Sequence, residues 1–128
     1  NINVIIENHG GPSSYPHAMD KLMKAVNHPR FGTLPDFGNF PPETDIYEAI
    51  DALMPYAKAL SAKCYDFDPE TGLHTDKDNK MVDFEKMIQI CVDKHKYHGF
   101  IGIEYEGNIM SEVDGIAAAN KLLIKLRG

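Results

Sequence analysis

An α/β fold of four successive βα units, half of an eight-unit barrel, is the architecture the sequence predicts, and three observations predict it. Short apolar runs alternate with longer stretches of helical periodicity, the pattern of a parallel sheet with crossover helices. The runs begin roughly 30 to 40 residues apart, about the length of one βα unit. Each run ends in ionisable residues, and in a parallel α/β sheet the C-terminal strand ends are where ligand chemistry gathers.

The first strand is Asn3–Glu7 (NVIIE), within a segment from Ile2 to Ile6 that reads as buried. The chain opens on Asn1 rather than Met with a strand already under way, so the true N-terminus, and any targeting signal with it, is expected upstream. Pro16–Asn27 then places Met19, Leu22, Met23 and Val26 on one helical face and stops at His28-Pro29. The second strand is Phe31–Asp36 (FGTLPD). Asp45–Leu53 follows with Ile46, Ala49, Ile50 and Leu53 at helical spacing and Thr44 as its N-cap; Pro55 ends it before a short turn at Tyr56–Ala59. Leu60–Tyr65 (LSAKCY) is the third strand, and a long loop with a turn at Pro69–Gly72 comes after it. Phe84–Lys96 is a helix behind an Asp83 cap, with Met87, Ile88, Cys91 and Val92 inward and Gly99 just past its end. The fourth strand is Phe100–Glu104 (FIGIE). The closing helix, Glu112–Arg127, carries Ile116, Ala119, Leu122, Leu123 and Leu126 on one side. No linker or low-complexity segment interrupts this order, so residues 1–128 read as one partial barrel domain.

Composition narrows the function. With 43% hydrophobic and 25% charged residues, the chain of 128 residues is ordinary for one globular unit. Its 13 basic residues against 19 acidic ones, for a net charge of −6, oppose nucleic-acid binding, which runs on Lys and Arg neutralising phosphates. No run approaches the roughly 18 apolar residues of a membrane span, and no signal peptide is visible. Cys64 and Cys91 lie in apolar stretches without CxxC spacing, as reduced core thiols do, and a cytoplasmic location is the expectation. Small solutes are the expected partners.

The strand ends carry the chemistry. The first presents Glu7 and runs into ENHGGPSS; the second presents Asp36 within PDFGNF; the third presents Lys63 and Asp66 within SAKCYDFD; the fourth presents Glu104 within IEYEG. Carboxylates brought together at adjacent strand ends repel one another unless a proton or a cation compensates. A hard divalent cation is the natural complement of Glu7, Asp36 and Glu104, because oxygen ligands suit Mg²⁺ and Mn²⁺. Each carboxylate taken alone reads first as a solvated or turn-forming loop residue, and it is three at the same register that point to a site.

The segments IIENHGG, LPDFGNF, SAKCYDFD and GFIGIEYEG, in this order and at these separations, resemble strands five to eight of the sugar phosphate isomerase/epimerase family of xylose isomerase-like TIM barrels, relatives of xylose isomerase, inosose dehydratase and endonuclease IV. The resemblance covers essentially the whole chain, which would make it the C-terminal half of a (β/α)8 TIM barrel. It implies one divalent metal ion, Mn, Mg, Co or Zn with Mn favoured, held by Glu7, Asp36 and Glu104 at the positions of the family's first, second and fourth ligands. The third position departs from the pattern: where many relatives have His-x-Lys, this chain has Ser61-Ala62-Lys63, leaving water, Asp66 or Asp68 to fill it, or a weakened site. Asn39 stands where many relatives place a substrate-binding His, and an amide hydrogen-bonds a sugar hydroxyl without shuttling protons.

The resemblance implies removal and return of a proton next to a carbonyl, with Glu7 and Glu104 as the two carboxylates. Lys63 either stabilises the charge that develops on oxygen or pairs with a neighbouring carboxylate. His9 either contacts substrate or is a plain loop histidine. Other constellations fit less well. The stretch from Asp66 to Lys77 departs from a calcium loop at its glycine and its twelfth position. His95 and His98 read as solvated, and Glu106–Gly107 as a candidate anion-binding turn without a basic partner. Three functions follow: a metal-dependent sugar or sugar phosphate isomerase or epimerase; a dehydratase of a cyclic polyol on the same barrel; and a noncatalytic sugar-binding barrel. The open sheet edges and apolar faces of a half barrel made alone favour homo-oligomers or instability.

Overall fold

The computed structural model describes residues 2–68, 71, 73–75 and 81–127. Of the expected turn at Pro69–Gly72, all but Thr71 lies outside them, as does Lys77. In chain order the elements are β1 (Val4–Glu7), a 3-10 turn at Gly11–Ser14, α1 (Pro16–Val26), β2 (Phe31–Leu34), α2 (Ile46–Leu53), a 3-10 turn at Met54–Tyr56, β3 (Leu60–Cys64), β4 (Leu73–Thr75), β5 (Met81–Asp83), α3 (Phe84–Ile88) continued by a π-helical turn over Gln89–Lys94, β6 (Ile101–Tyr105) and α4 (Glu112–Leu126).

The expected βα strands pair in parallel. In β1 and β2, Val4 lies opposite Phe31 and Glu7 opposite Leu34; in β3 and β6, Leu60 lies opposite Ile101 and Lys63 opposite Glu104. Regular pairing of β2 stops at Pro35, which has no N–H to donate, yet the extended chain beyond it reaches β3. Ser61 N donates to Pro35 O at 3.0 Å and Phe37 N to Ser61 O at 3.1 Å, with bridges at Asp36 to Ser61 and Thr33 to Ala57. The spatial order is therefore β1, β2, β3, β6. Among the described residues the array stays open, with β1 paired on one side by β2 and β6 on one side by β3.

That openness corrects the expected burial of the first strand. Val4 is 60% exposed and Ile5 38%, because an edge strand is covered on one side only. The flanking helices show the same effect. α1 packs on α2 and β2, and α4 on β6 and α3. Met19, Met23, Ala119 and Leu122 are buried as expected, but Leu22, Val26 and Ile116 are turned outward and exposed. The core lies between sheet and helices around Phe37, Ile50, Leu53, Leu60, Phe84 and Met87. Cys64 and Cys91 are free and buried within it, and burial pushes both thiols up to about 12.

Capping chemistry settles the helix starts. α2 is capped by Asp45, not by Thr44: the Asp45 carboxylate accepts from Tyr47 N at 2.9 Å and Glu48 N at 3.1 Å, while Thr44 N closes a turn onto Pro41 O. α3 starts behind Asp83 as expected, its carboxylate accepting from Lys86 N at 3.1 Å. The expected single helix Phe84–Lys96 is instead α-helical only to Ile88 before the π turn, and beyond that turn Lys96 takes a left-handed φ of 54°. The expected long loop after the third strand holds an antiparallel ribbon, β4 with β5, Leu73 opposite Asp83. Three residues per strand are too few for alternation to show in the sequence.

Candidate metal centre

Three carboxylates from three separate strand ends converge. Glu7 closes β1, Asp36 lies just past β2 and Glu104 lies in β6, and an oxygen of each falls within 4.8 Å of the others. Glu7 and Glu104 are half-buried; Asp36 is fully buried.

The residue after Glu7 fixes this junction. Asn8 is fully buried, and its Nδ2 donates to Asp36 O at 2.9 Å while Asp36 N donates to Asn8 Oδ1 at 2.7 Å. An amide side chain thus replaces the strand pairing that ends at Glu7, offering the donor and the acceptor that the Asp36 backbone requires. Asp36 Oδ1 accepts from Gly38 N at 2.9 Å, and Asp36 Oδ2, buried, has no hydrogen-bond partner among the described residues. Asn8 was not singled out in the sequence, where its place between Glu7 and His9 is its one signal. Asn8→Ala is expected to cost about 3 kcal/mol, since it leaves a buried N–H and C=O of Asp36 unpaired; urea unfolding measures this.

Lys63 enters the same cluster from β3. Its side chain is 3% exposed, and its ammonium lies 3.3 Å from Glu104 Oε1 and 3.0 Å from Glu106 Oε1. The aliphatic stem runs along Gly38, where an added Cβ would approach Lys63 Cδ to 3.2 Å. Burial works against the charge on Lys63, but Glu106 and Glu104, with Asp36 nearby, outweigh it and hold its pKa above the usual lysine value. Lys63 is therefore held charged, in salt bridges with Glu104 and Glu106, an arrangement compatible with both of the roles the sequence left open.

Glu7, Asp36, Glu104 and Glu106 set four carboxylates against one ammonium. The strain shows on Asp36, whose carboxyl is pushed up to about 6, chiefly by burial, with the Ser61 hydroxyl, the Gly38 amide and Lys63 pulling the other way and the charge of Glu104 adding to the rise. Three hard oxygen donors, one of them a buried carboxylate with an oxygen that lacks a hydrogen-bond partner among the described residues, fit a hard divalent cation better than a soft one. The pH consequence has a definite sign. The folded state holds a proton on Asp36 more tightly than the unfolded chain, so metal-free stability falls as pH rises from about 4 to about 6. A divalent ion held by the Asp36 carboxylate would have to displace that proton, so its apparent affinity is expected to fall about tenfold per pH unit below about 6 and to level off above it; calorimetric titration with Mn²⁺ at stepped pH reads both limbs.

The remaining expected site residues are distributed unevenly. Ser61 is buried beside the Asp36 carboxylate. Neither suggested substitute supplies a further oxygen to the cluster. Asp66 accepts from the Tyr105 hydroxyl, from Asn108 N at 2.8 Å and from Ile109 N at 3.1 Å, which fastens the loop after β6; burial opposes its charge, and these donors hold its pKa below the ordinary range all the same. Asp68 accepts from Thr71 N at 3.0 Å, an ordinary turn. The Glu106–Gly107 turn is not free for an anion, because Glu106 pairs with Lys63 and the amides following it serve Asp66. His9 is exposed and, with Asn39, Tyr15, Phe40 and Pro41, lines a cavity of about 360 Å³; the Asn39 amide nitrogen is buried without a hydrogen-bond partner among the described residues. His95, expected to be solvated, sits 2.7 Å from Asp51 Oδ1, with Lys94 at 2.8 Å from the same oxygen, and ties the π turn to α2.

Fold and site together define a class: a mixed α/β chain with parallel strand ends converging on an acidic cluster, matching half of a TIM-barrel-type structure. That structure is the crystal structure of the probable 3-DHS dehydratase AsbF, involved in petrobactin synthesis, from Bacillus anthracis. The similarity has a TM-score of 0.66 at 17% identity and covers 98% of this chain and 50% of that one. The chain thus spans half the length of the protein it resembles, and at this identity the likeness is one of fold. No protein-family model and no curated protein matches the sequence. Among the described residues, no helix is long and apolar enough to cross a membrane.

Proposed function

We propose that the chain is the site-bearing half, strands five to eight, of a (β/α)8 enzyme that holds one divalent cation between Glu7, Asp36 and Glu104 and moves a proton next to the carbonyl of a sugar or polyol, as an isomerase or epimerase does. The observation that carries this reading is the convergence of three carboxylates from three strand ends within 4.8 Å, around a buried Asp36 oxygen with no hydrogen-bond partner among the described residues. A bound Mn²⁺ or Mg²⁺ would polarise the substrate oxygens and so acidify the adjacent C–H.

The other roles belong to the chain's own residues. Glu7 and Glu104 approach from the two outer strands of the array and form the candidate pair that takes the proton from one carbon and returns it to another. Lys63, kept charged beside Glu104, is the donor for the oxygen on which negative charge grows. Asn39 and His9 offer hydrogen bonds to substrate hydroxyls from the adjoining cavity. Asn8 acts through Asp36 and is a positioning residue.

The likeness to a probable dehydratase favours a second reading, in which the same proton is removed but a hydroxyl on the next carbon departs as water, with Lys63 as candidate proton donor to it. Incubation of the Mn²⁺-loaded protein with ketoses and cyclic keto polyols in heavy water tests both. Deuterium in recovered or isomerised sugar supports the first, and the ultraviolet absorbance of an enone supports the second. Because the half alone is expected to turn over little, the test is made on the whole barrel: absence of both from a whole barrel that binds Mn²⁺ sinks proton transfer and leaves a sugar-binding barrel.

A further inference from the structure

From the donors at this end of the sheet, and resting on the reading above, we infer that the substrate is an uncharged keto sugar or cyclic keto polyol and not a phosphate ester or a carboxylate. Barrels commonly seat a phosphate in the loops after their last strands, on backbone N–H groups with a basic side chain nearby. Among the described residues at the end of β6, both kinds of donor are already engaged. The Lys63 ammonium is shared by Glu104 and Glu106 at 3.3 and 3.0 Å. In the loop after β6, the amide of Asn108 is 2.8 Å from Asp66 Oδ2, that of Ile109 is 3.1 Å from both Asp66 oxygens, and that of Met110 donates to the Tyr105 hydroxyl, which itself donates to Asp66. The start of α4 adds no attraction for an anion: Ser111 Oγ accepts from Asp114 N, and Glu112 and Asp114 place negative charge in the first turn.

The charge balance points the same way. A divalent ion between Glu7, Asp36 and Glu104 leaves their sum negative, and Glu106 only just cancels Lys63. An anionic group entering here meets like charge, whereas sugar hydroxyls arrive as donors for carboxylate oxygens. The wall accepts hydrogen bonds more readily than it gives them.

Two measurements decide the matter. Amide NMR of the Mg²⁺-loaded protein is followed while inorganic phosphate is added up to millimolar concentrations, and exchange in heavy water is compared for a ketohexose and the same sugar carrying a terminal phosphate. The expected results are no saturable shift at Asn108, Ile109 or Met110, and exchange about tenfold or more faster for the free sugar. A saturable shift at those amides, or faster exchange of the phosphate ester, overturns the inference and leaves the metal-dependent mechanism standing. Failure to bind Mn²⁺ removes that mechanism instead, and the phosphate titration still decides whether this wall takes an anion. Asp66→Asn supplies the converse: with the loop amides no longer held by a charged acceptor, phosphate is expected to shift them, and a folded variant that stays silent counts against the role given to Asp66.

Discussion

Glu104→Gln is expected to weaken Mn²⁺ binding by about a hundredfold or more, the upper end of what even outer-shell changes cost at metal sites. Glutamine keeps the shape of the side chain and removes one of the three charges that converge within 4.8 Å. Little else is disturbed, because Lys63 keeps Glu106 as its partner at 3.0 Å. The same substitution relieves Asp36, whose raised pKa owes part of its rise to the charge on Glu104. The metal-free variant is therefore expected to melt no lower than the wild type while losing the ion, a combination that misfolding cannot produce. Calorimetric titration and thermal melting of the two proteins side by side provide the test, and wild-type affinity in the variant would remove Glu104 from the site.

The largest effect on stability is expected at Phe84. The residue follows the cap of α3 and is fully buried, its ring 6.2 Å from that of Phe37 and 6.1 Å, edge-on, from that of Phe67. Phe37 lies beside Asp36 and Phe67 beside Asp66, so this aromatic cluster sits directly behind the strand ends that carry the site. Phe84→Ala removes that filling and costs about 4 kcal/mol, the usual loss for a buried phenylalanine. Urea unfolding should show the midpoint falling at an unchanged slope. A loss below about 1 kcal/mol would mean that the three rings do not form the packing centre given to them.

Much of the fold was legible because βα units announce themselves through period. The strand read as Leu60–Tyr65, observed as Leu60–Cys64, and the helical faces of Met19 with Met23 and of Ile46, Ala49, Ile50 and Leu53 follow from apolar spacing alone. What escaped was set by interactions too short or too distant for spacing to reveal. The β4–β5 ribbon has three residues to a strand. Asp45 rather than Thr44 caps α2 because of which carboxylate reaches two amides, a matter of one residue. The exposure of Val4, Leu22 and Ile116 depends on what covers the two ends of the open array, and no periodicity records that.

The candidate site divides in the same way. Glu7, Asp36 and Glu104 were found by the rule that strand ends converge, and the structure brings them together. Asn8 was missed because its partners are the backbone groups of a residue 28 positions away. Asp66 was considered as a ligand because it is acidic and near the third strand end; its true partners, Tyr105 and the amides after it, lie some 40 residues on, where loop folding places them.

The number of Mn²⁺ ions held by the wild-type protein tests the central claim most directly, read from the loss of the free-ion signal by electron paramagnetic resonance near neutral pH. One tightly held ion per chain, held progressively less tightly as the pH falls below about 6, is the result expected from the three converging carboxylates and the raised pKa of Asp36. An undiminished free-ion signal at every protein concentration would contradict the metal-dependent mechanism.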